Sequence, residues 1–205
     1  MTTSNDKLTL RPMTVADIGQ VPMQCHGQSD AVSERIRTLG STAILVFDGE
    51  QHVAQLQFRR YNAALRSPDG IWDPLYWGDF GETAPDLPPN SLSVFCYHVG
   101  QVDNTEARDP NYQGRGIGLA MLDFFLDWAD AAGFETIAAK FTPSPRPVMG
   151  FMGGQPAEAY EARGFKVVNS WVDQQLYDVL REKELVARDA AADDVARVGC
   201  CVKTI

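Results

Sequence analysis

Gln113-Gly114-Arg115-Gly116-Ile117-Gly118-Leu119 stands between a strand-like run and a helix-like run, and no other stretch says as much about the architecture. A strand, a glycine-rich turn and a helix together form an anion site. The first amides of a helix have no internal partners, and the aligned peptide dipoles add positive potential there. The turn is therefore expected to hold a phosphate. A dinucleotide fingerprint needs glycine at its first, third and sixth positions, and counting from Gly114 the sixth residue is Leu119. The nucleotide P-loop fails as well, because no Gly-Lys-Ser or Gly-Lys-Thr comes after the glycines.

On the C-terminal side of this turn, Leu119, Leu122, Phe125, Leu126 and Ala129 recur on one helical face that stops at Gly133. On its N-terminal side, Leu92 to Val102 reads as a strand, with Gly100 as a bulge or close-approach point. Further upstream, Leu8 to Arg11 is a strand, and Thr14 with Asp17 has the form of a helix start, which predicts a helix from about Val15 into the twenties. Pro22 and Gly27 interrupt it, and a second helix is expected over Asp30 to Leu39. Thr42 to Phe47, the Asp48-Gly49 turn and the alternation of Val53, Gln55 and Gln57 with Ala54, Leu56 and Phe58 predict a β-hairpin.

Downstream, Thr136 to Phe141 is a strand that Pro143, Pro145 and Pro147 cannot continue. A short helix over Ala157 to Arg163, capped by Gly164, leads into a strand over Phe165 to Val172. The tail from Asp173 holds a helix near Gln175 to Glu184, and Val198 to Ile205 fits a last strand. Asn62 to Asn90 is a long loop carrying Trp72, Tyr76, Trp77 and Phe80, which either pin it to the protein or line a pocket.

The chain has 205 residues, enough for one well-buried core. With 27 acidic against 18 basic side chains its formal charge is -9, which disfavours a nucleic-acid partner and tilts slightly toward a cationic acceptor such as an amine. No apolar run reaches the ~20 residues of a membrane span. The polar start Met1 to Lys7 lacks the features of a signal peptide, so a cytoplasmic protein is expected. Cys25, Cys96, Cys200 and Cys201 form no regular framework, and reduced thiols are the default.

The pattern Gln113, Gly116 and Gly118 ahead of the helix resembles the acetyl-CoA pyrophosphate loop of the GNAT N-acetyltransferase superfamily. Leu10-Arg11-Pro12-Met13-Thr14 with Asp17 is similar to the first strand and helix entry of that family, and Asp48-Gly49 sits at its hairpin turn. Tyr160-Glu161-Ala162-Arg163-Gly164-Phe165 looks like its Tyr-x-x-x-Gly-Phe segment. Two departures stand beside these matches: the chain has an insertion after Val102, and Gly153 occupies a position where many members carry asparagine.

The resemblance implies a single α/β domain over residues 1–205 with the GNAT fold. This is a central, mixed, mostly antiparallel sheet of six to seven strands flanked by helices, with a loop insertion at about 62–90 and a helical insertion at about 173–197. It implies acetyl-CoA or another acyl-CoA as co-substrate, with no metal, and transfer of acetyl to a primary amine of a small molecule. The strand end near Val102 and the loop Gln113, Gly114, Arg115, Gly116, Ile117, Gly118 and Leu119 would hold the donor, although Arg115 equally fits a solvated surface charge. Tyr160 takes the place of the family's thiolate-protonating tyrosine, or is a packing residue. Ser91 to Val102 contains no Asp or Glu, so the base is not identified: His98, on the same strand face as Cys96, is the best protonatable candidate on that strand, or a core histidine, and Asp103 and Glu106 are its rivals, or solvated loop charges. Cys96 with His98 also allows a thiol nucleophile or, with Cys200 and Cys201, a metal site, although neither has recognised spacing. Trp72, Tyr76, Trp77 and Phe80 are the candidate acceptor-pocket residues. A homodimer is compatible with the family, no membrane partner is expected, and the alternatives are a catalytically weak acyl-CoA-binding or sensing module and a protein lysine or N-terminal acetyltransferase.

Overall fold

The computed structural model describes residues 7–64, 84–105 and 107–205. Among these, the elements in chain order are β1 (Leu8–Pro12), α1 (Ser29–Leu39), β2 (Ala43–Asp48), β3 (Gln51–Arg60), β4 (Ser91–Val99), α2 (Ile117–Ala131) and β5 (Thr136–Phe141). They continue with α3 (Arg146–Met152), α4 (Ala157–Glu161), β6 (Lys166–Val172), α5 (Gln174–Glu182), α6 (Ala192–Ala196) and β7 (Arg197–Thr204). The strands form one seven-stranded sheet in the order β1-β2-β3-β4-β5-β7-β6. The pairs β1–β2, β2–β3, β5–β7 and β6–β7 are antiparallel, and β4–β5 is parallel. Gly100 donates to the Val53 carbonyl and Tyr61 to the Ser91 carbonyl, so β3 and β4 also run antiparallel. The mixed, mostly antiparallel, helix-flanked sheet is the one the resemblance implies. No helix among the described residues is long and apolar enough to cross a membrane.

The chain divides into two compact units, Met1–Arg59 with Cys96–Gly133, and Arg60–Phe95 with Phe134–Ile205. In the first, Ala43 to Val46 of β2 are all buried, so the strand reads as a continuous apolar run because both its faces are covered. Met13, Val21, Val32, Ile36, Ala43 and Leu45 form one core cluster, joined by Ile18, Met23 and Phe47. Phe58 of β3 meets Phe125 and Trp128 of α2 with ring centroids 4.7 and 4.8 Å apart. Gln55 and Gln57, which alternate with the apolar residues of β3, are fully buried as well, and their amides donate to the Pro22 and Gln24 carbonyls.

The helix expected from Val15 is a single 3-10 turn, Val15–Asp17. Its start is as the sequence indicates, because Thr14 donates both its amide and its hydroxyl to Asp17 Oδ2, each at 2.8 Å. Arg11 adds a two-pronged ion pair to the same carboxylate at 2.8 and 2.5 Å, holding the Asp17 carboxyl down to about 2. The turn cannot continue as a helix because Gly19 is left-handed at φ +78° and Pro22 comes three residues later.

In the second unit, the pairing of β4 with β5 runs from Ser91 opposite Thr136 to Val94 opposite Ala139. Strand β7 lies between β5 and β6, and its Gly199 permits that insertion: a Cβ there would sit 2.3 Å from the Asn169 carbonyl oxygen and 2.4 Å from the Phe141 ring. Val148, Met152, Leu176, Leu180, Ala196 and Val198 form the core under α3, α5 and α6. Helix α3 was not among the expected elements. Pro145 and Pro147 stop strand β5, yet proline is tolerated in the first turn of a helix, where its missing N–H is not needed, and α3 begins on them. Asp173 caps α5 by accepting from the Leu176 amide at 2.9 Å.

Candidate functional site

Strand β4 ends at Val99, three residues before the expected Val102, because Gly100 turns the chain with φ +80°. Its amide bonds the Val53 carbonyl and its carbonyl accepts from the Asp109 amide, both at 2.8 Å, so the excursion over residues 101–108 returns to its point of departure. A Cβ on Gly100 would lie 2.5 Å from the Asp109 carbonyl oxygen, which makes it the close-approach point expected from the sequence. Val102 is half-buried on this excursion. Asp109 then accepts from the Asn111 amide at 2.9 Å and caps a 3-10 turn, Pro110–Tyr112.

From that turn the chain passes through Gly114 (φ +70°) and Gly116 (φ +77°), the N-cap of α2. Left-handed residues alternating with one that is not, here Arg115, turn successive amides toward one side and form an anion nest. The Gly116 carbonyl accepts from the Leu119 and Ala120 amides at 3.1 and 3.0 Å, so the Ile117 and Gly118 amides precede the first backbone bonds of α2. An added Cβ on Gly116 meets nothing within 4 Å. Gln113, Gly114 and Gly116 are exposed, Arg115 and Leu119 half-buried, and Ile117 and Gly118 buried. The Arg115 guanidinium lies 5.4 Å from the centroid of the Tyr112 ring. Tyr112 in turn donates its hydroxyl to Asp48 at 3.2 Å, joining the hairpin turn to the glycine loop, and burial together with Asp48 pushes its hydroxyl pKa up.

Elsewhere in the first unit lies a buried polar cluster. His98, 6% exposed, has Nε2 3.0 Å from Cys96 Sγ and Nδ1 3.1 Å from the Arg108 guanidinium. Arg108 also donates to the Thr105 and Ala107 carbonyls at 3.1 and 3.0 Å. Because a guanidinium has donors and no acceptor, Nδ1 of His98 must accept, and the neutral ring then carries its proton on Nε2 and donates to the Cys96 sulfur. Cys25, exposed on the loop before α1, brings its sulfur within 4.8 Å of both Cys96 Sγ and the His98 ring.

Around this group, Gln55 donates to the Pro22 carbonyl at 2.9 Å and to Gln101 Oε1 at 3.0 Å, and its own oxygen lies 2.8 Å from His26 Nε2. Gln57 donates to the Gln24 carbonyl at 2.7 Å, and His52 Nδ1 is 2.9 Å from the Gln101 carbonyl. Burial lowers both His26 and His52 to about 4, so both rings are neutral near pH 7. Sequence reasoning had Cys96 and His98 together but missed Cys25, Arg108 and the two buried histidines. No local spacing links Cys25 to Cys96, and glutamines alternating with apolar residues along a strand resemble a solvated face.

Tyr160 belongs to the second unit, on α4, where it is 1% exposed with its ring 5.2 Å from that of Phe165 at 60°. Gly164, left-handed at φ +82°, lets the Phe165 amide turn back to the Tyr160 carbonyl at 3.2 Å. Gly153, in place of the family's asparagine, caps α3 at φ +60°, and the Thr142 amide bonds the Gln155 carbonyl at 3.0 Å. Glu106, Trp72, Tyr76, Trp77 and Phe80 lie outside the described residues.

No protein-family model and no curated protein matches the chain. Solved structures do. An acetyltransferase of the GNAT family from Streptococcus pneumoniae is 12% identical, with 97% of this chain and 99% of that one covered at a TM-score of 0.50. Arylalkylamine N-acetyltransferase like 5b from a mosquito is 14% identical over 97% and 100% at 0.51. The yncA protein of Salmonella typhimurium, solved with its cofactor acetyl-CoA, is 13% identical over 97% and 94% at 0.52. Strand order, the parallel pairing of β4 with β5 and these likenesses agree, and the chain has the fold of the GNAT acetyltransferase superfamily.

Proposed function

We propose that this chain is an N-acyltransferase that carries an acyl group, acetyl in the simplest case, from acyl-CoA to a primary amine of a small molecule. The observation that carries the reading is the turn at Gly114 to Gly118. Two left-handed glycines lead into a 15-residue helix whose first amides precede its internal hydrogen bonds, and a Cβ added on Gly116 meets nothing within 4 Å, which is the arrangement a pyrophosphate needs. In this reading the donor supplies an activated thioester, and the turn holds it so that the amine attacks directly, with proximity replacing covalent catalysis. Tyr160 is the proposed acid for the departing thiolate, and Trp72, Tyr76, Trp77 and Phe80 are the proposed acceptor-pocket residues.

Calorimetric titration with CoA tests the donor site. Gly116→Glu places a carboxylate where the phosphate approaches and should weaken binding by ~100-fold or more while the protein stays folded. Unchanged affinity removes the phosphate turn. Tyr160→Phe should lower turnover by roughly 100-fold with the CoA dissociation constant nearly constant, because the phenol acts on the leaving group. If turnover persists with chemistry rate-limiting, Tyr160 is a packing residue.

One observation favours a second reading, an acyl-CoA-binding module with weak turnover. The segment Ser91 to Val102 offers no carboxylate, and the accepting nitrogen of His98, the proposed base, is already bonded to Arg108. For His98 to take a proton from the amine, Arg108 has to release Nδ1. Release of CoA measured across a panel of amines separates the two readings.

A further inference from the structure

We propose that Cys25 and Cys96 are a peroxide-sensitive thiol pair, with exposed Cys25 as the site of oxidation and buried Cys96 as the thiol that resolves it into a disulfide. Their sulfur atoms lie within 4.8 Å, and the loop that carries Cys25 is held on both sides of this approach: to β3, the neighbour of β4, where the Gln24 carbonyl accepts from Gln57 and His26 bonds Gln55, and to the segment after β4, where the Met23 amide donates to Asn104 Oδ1 at 2.8 Å. Closure to the ~2.05 Å of a disulfide therefore needs a side-chain rotation and a small loop shift, not a rearrangement of the sheet. Cys25 is a non-glycine residue with a left-handed backbone, φ +65°, and it is exposed where an oxidant arrives.

The chemistry of Cys96 is set by its neighbours. Arg108 fixes the His98 tautomer, so the Nε2–H donates to the Cys96 sulfur and orients it. Cys200 and Cys201 are fully buried, and desolvation pushes both thiols up, Cys201 to about 12, so they remain protonated and unreactive. The same three side chains, Cys25, Cys96 and His98, are close enough to surround a soft metal ion. A histidine bound to metal through Nε2 carries its proton on Nδ1, however, and the Arg108 donor at Nδ1 opposes that.

The oxidant is hydrogen peroxide. The Cys25 thiolate attacks one peroxide oxygen, the O–O bond breaks, and the departing hydroxide takes a proton to become water, leaving Cys25 sulfenic acid. The Cys96 thiolate then attacks the Cys25 sulfur, the S–O bond breaks, and the second hydroxide is protonated to water. Two thiols are oxidised to one disulfide, and one peroxide is reduced to two waters. The bridge pins the loop before α1 to the strand that carries His98, so it should switch off acyl transfer reversibly; that consequence rests on the proposed function, whereas the oxidation does not.

The test treats reduced full-length protein with hydrogen peroxide and reads intact mass with peptide mapping. The expected result is a loss of ~2 Da mapped to a Cys25–Cys96 bridge and reversed by dithiothreitol. In Cys96→Ala, Cys25 should accumulate as sulfenic acid trapped by dimedone, and in Cys25→Ala, Cys96 should stay unmodified. A bridge involving Cys200 or Cys201, an unoxidised Cys25, or dimedone-labelled Cys25 in the wild type without a bridge overturns the proposal. CoA affinity of the reduced protein, measured separately, reports on the acyltransferase reading, so the two can fail independently.

Discussion

Gly100 and Gly116 share a left-handed backbone and differ in what surrounds them. At Gly100 a methyl group would strike the Asp109 carbonyl at 2.5 Å, whereas at Gly116 it would enter open space. Gly116→Ala therefore carries the conformational cost alone, about 1 kcal/mol, while Gly100→Ala adds a backbone collision and should cost about 2–4 kcal/mol. At the 2–4 °C per kcal/mol usual for a chain of this size, thermal unfolding should fall by ~5–15 °C for Gly100→Ala and by ~2–4 °C for Gly116→Ala. Equal losses would mean that the Asp109 contact does not hold the loop closed. The need for glycine was legible at both positions from the strand and helix patterns on either side. The identity of the partner at Gly100 was not, because Asp109 returns to it only after an excursion whose path depends on the fold.

Among the elements, the departures from expectation have local causes. The capping signature at Thr14 and Asp17 is real, but Arg11 engages the carboxylate and holds a single turn against β1, and Gly19 ends it. The prolines after β5 stop a strand and start a helix, and only the first role is visible from the prolines themselves. The insertion of β7 between β5 and β6 depends on Gly199, whose φ is ordinary but whose space is filled by Asn169 and Phe141. Gly199→Ala must push one of these aside, and a loss of about 2–4 kcal/mol in denaturant unfolding is expected, with faster amide exchange along β7. An unperturbed variant would show that β6 and β7 are less tightly joined than the register implies.

For the protein as a whole, the two buried histidines make stability depend on pH. The folded state holds His26 and His52 near 4, below the ~6.5 of an unfolded chain, so between these values the unfolded state binds more protons. Their contribution is fully present above about pH 6.5 and is lost as the pH falls toward 4, by on the order of 2 kcal/mol each at pH 5. Urea unfolding at pH 7.5 and 5.0 measures this, and replacing His26 with Asn should shrink the difference between the two. A His26→Asn protein with an undiminished difference would place the acid sensitivity elsewhere. Asp17 acts in a lower window: its contribution is present above about pH 3.8 and is lost as the pH falls through about 2.

Features that depend on near neighbours could be read from the residues alone. The 3.6-residue apolar period placed α1 and α2, the Asp48-Gly49 turn fixed the hairpin of β2 and β3, and the glycine spacing at Gly114 to Gly118 excluded two other phosphate-binding turns. Each is set by backbone sterics or by the period of a single element, and each survives without knowledge of the rest of the chain. Which distant residues meet became visible only in the folded chain. Cys25 reaches Cys96, Arg108 settles the tautomer of His98, and Gln55 joins His26 to Gln101. No period or turn encodes those contacts, because they arise where β3, β4 and the loop before α1 converge, and a buried polar group must then bond whatever the fold brings within reach.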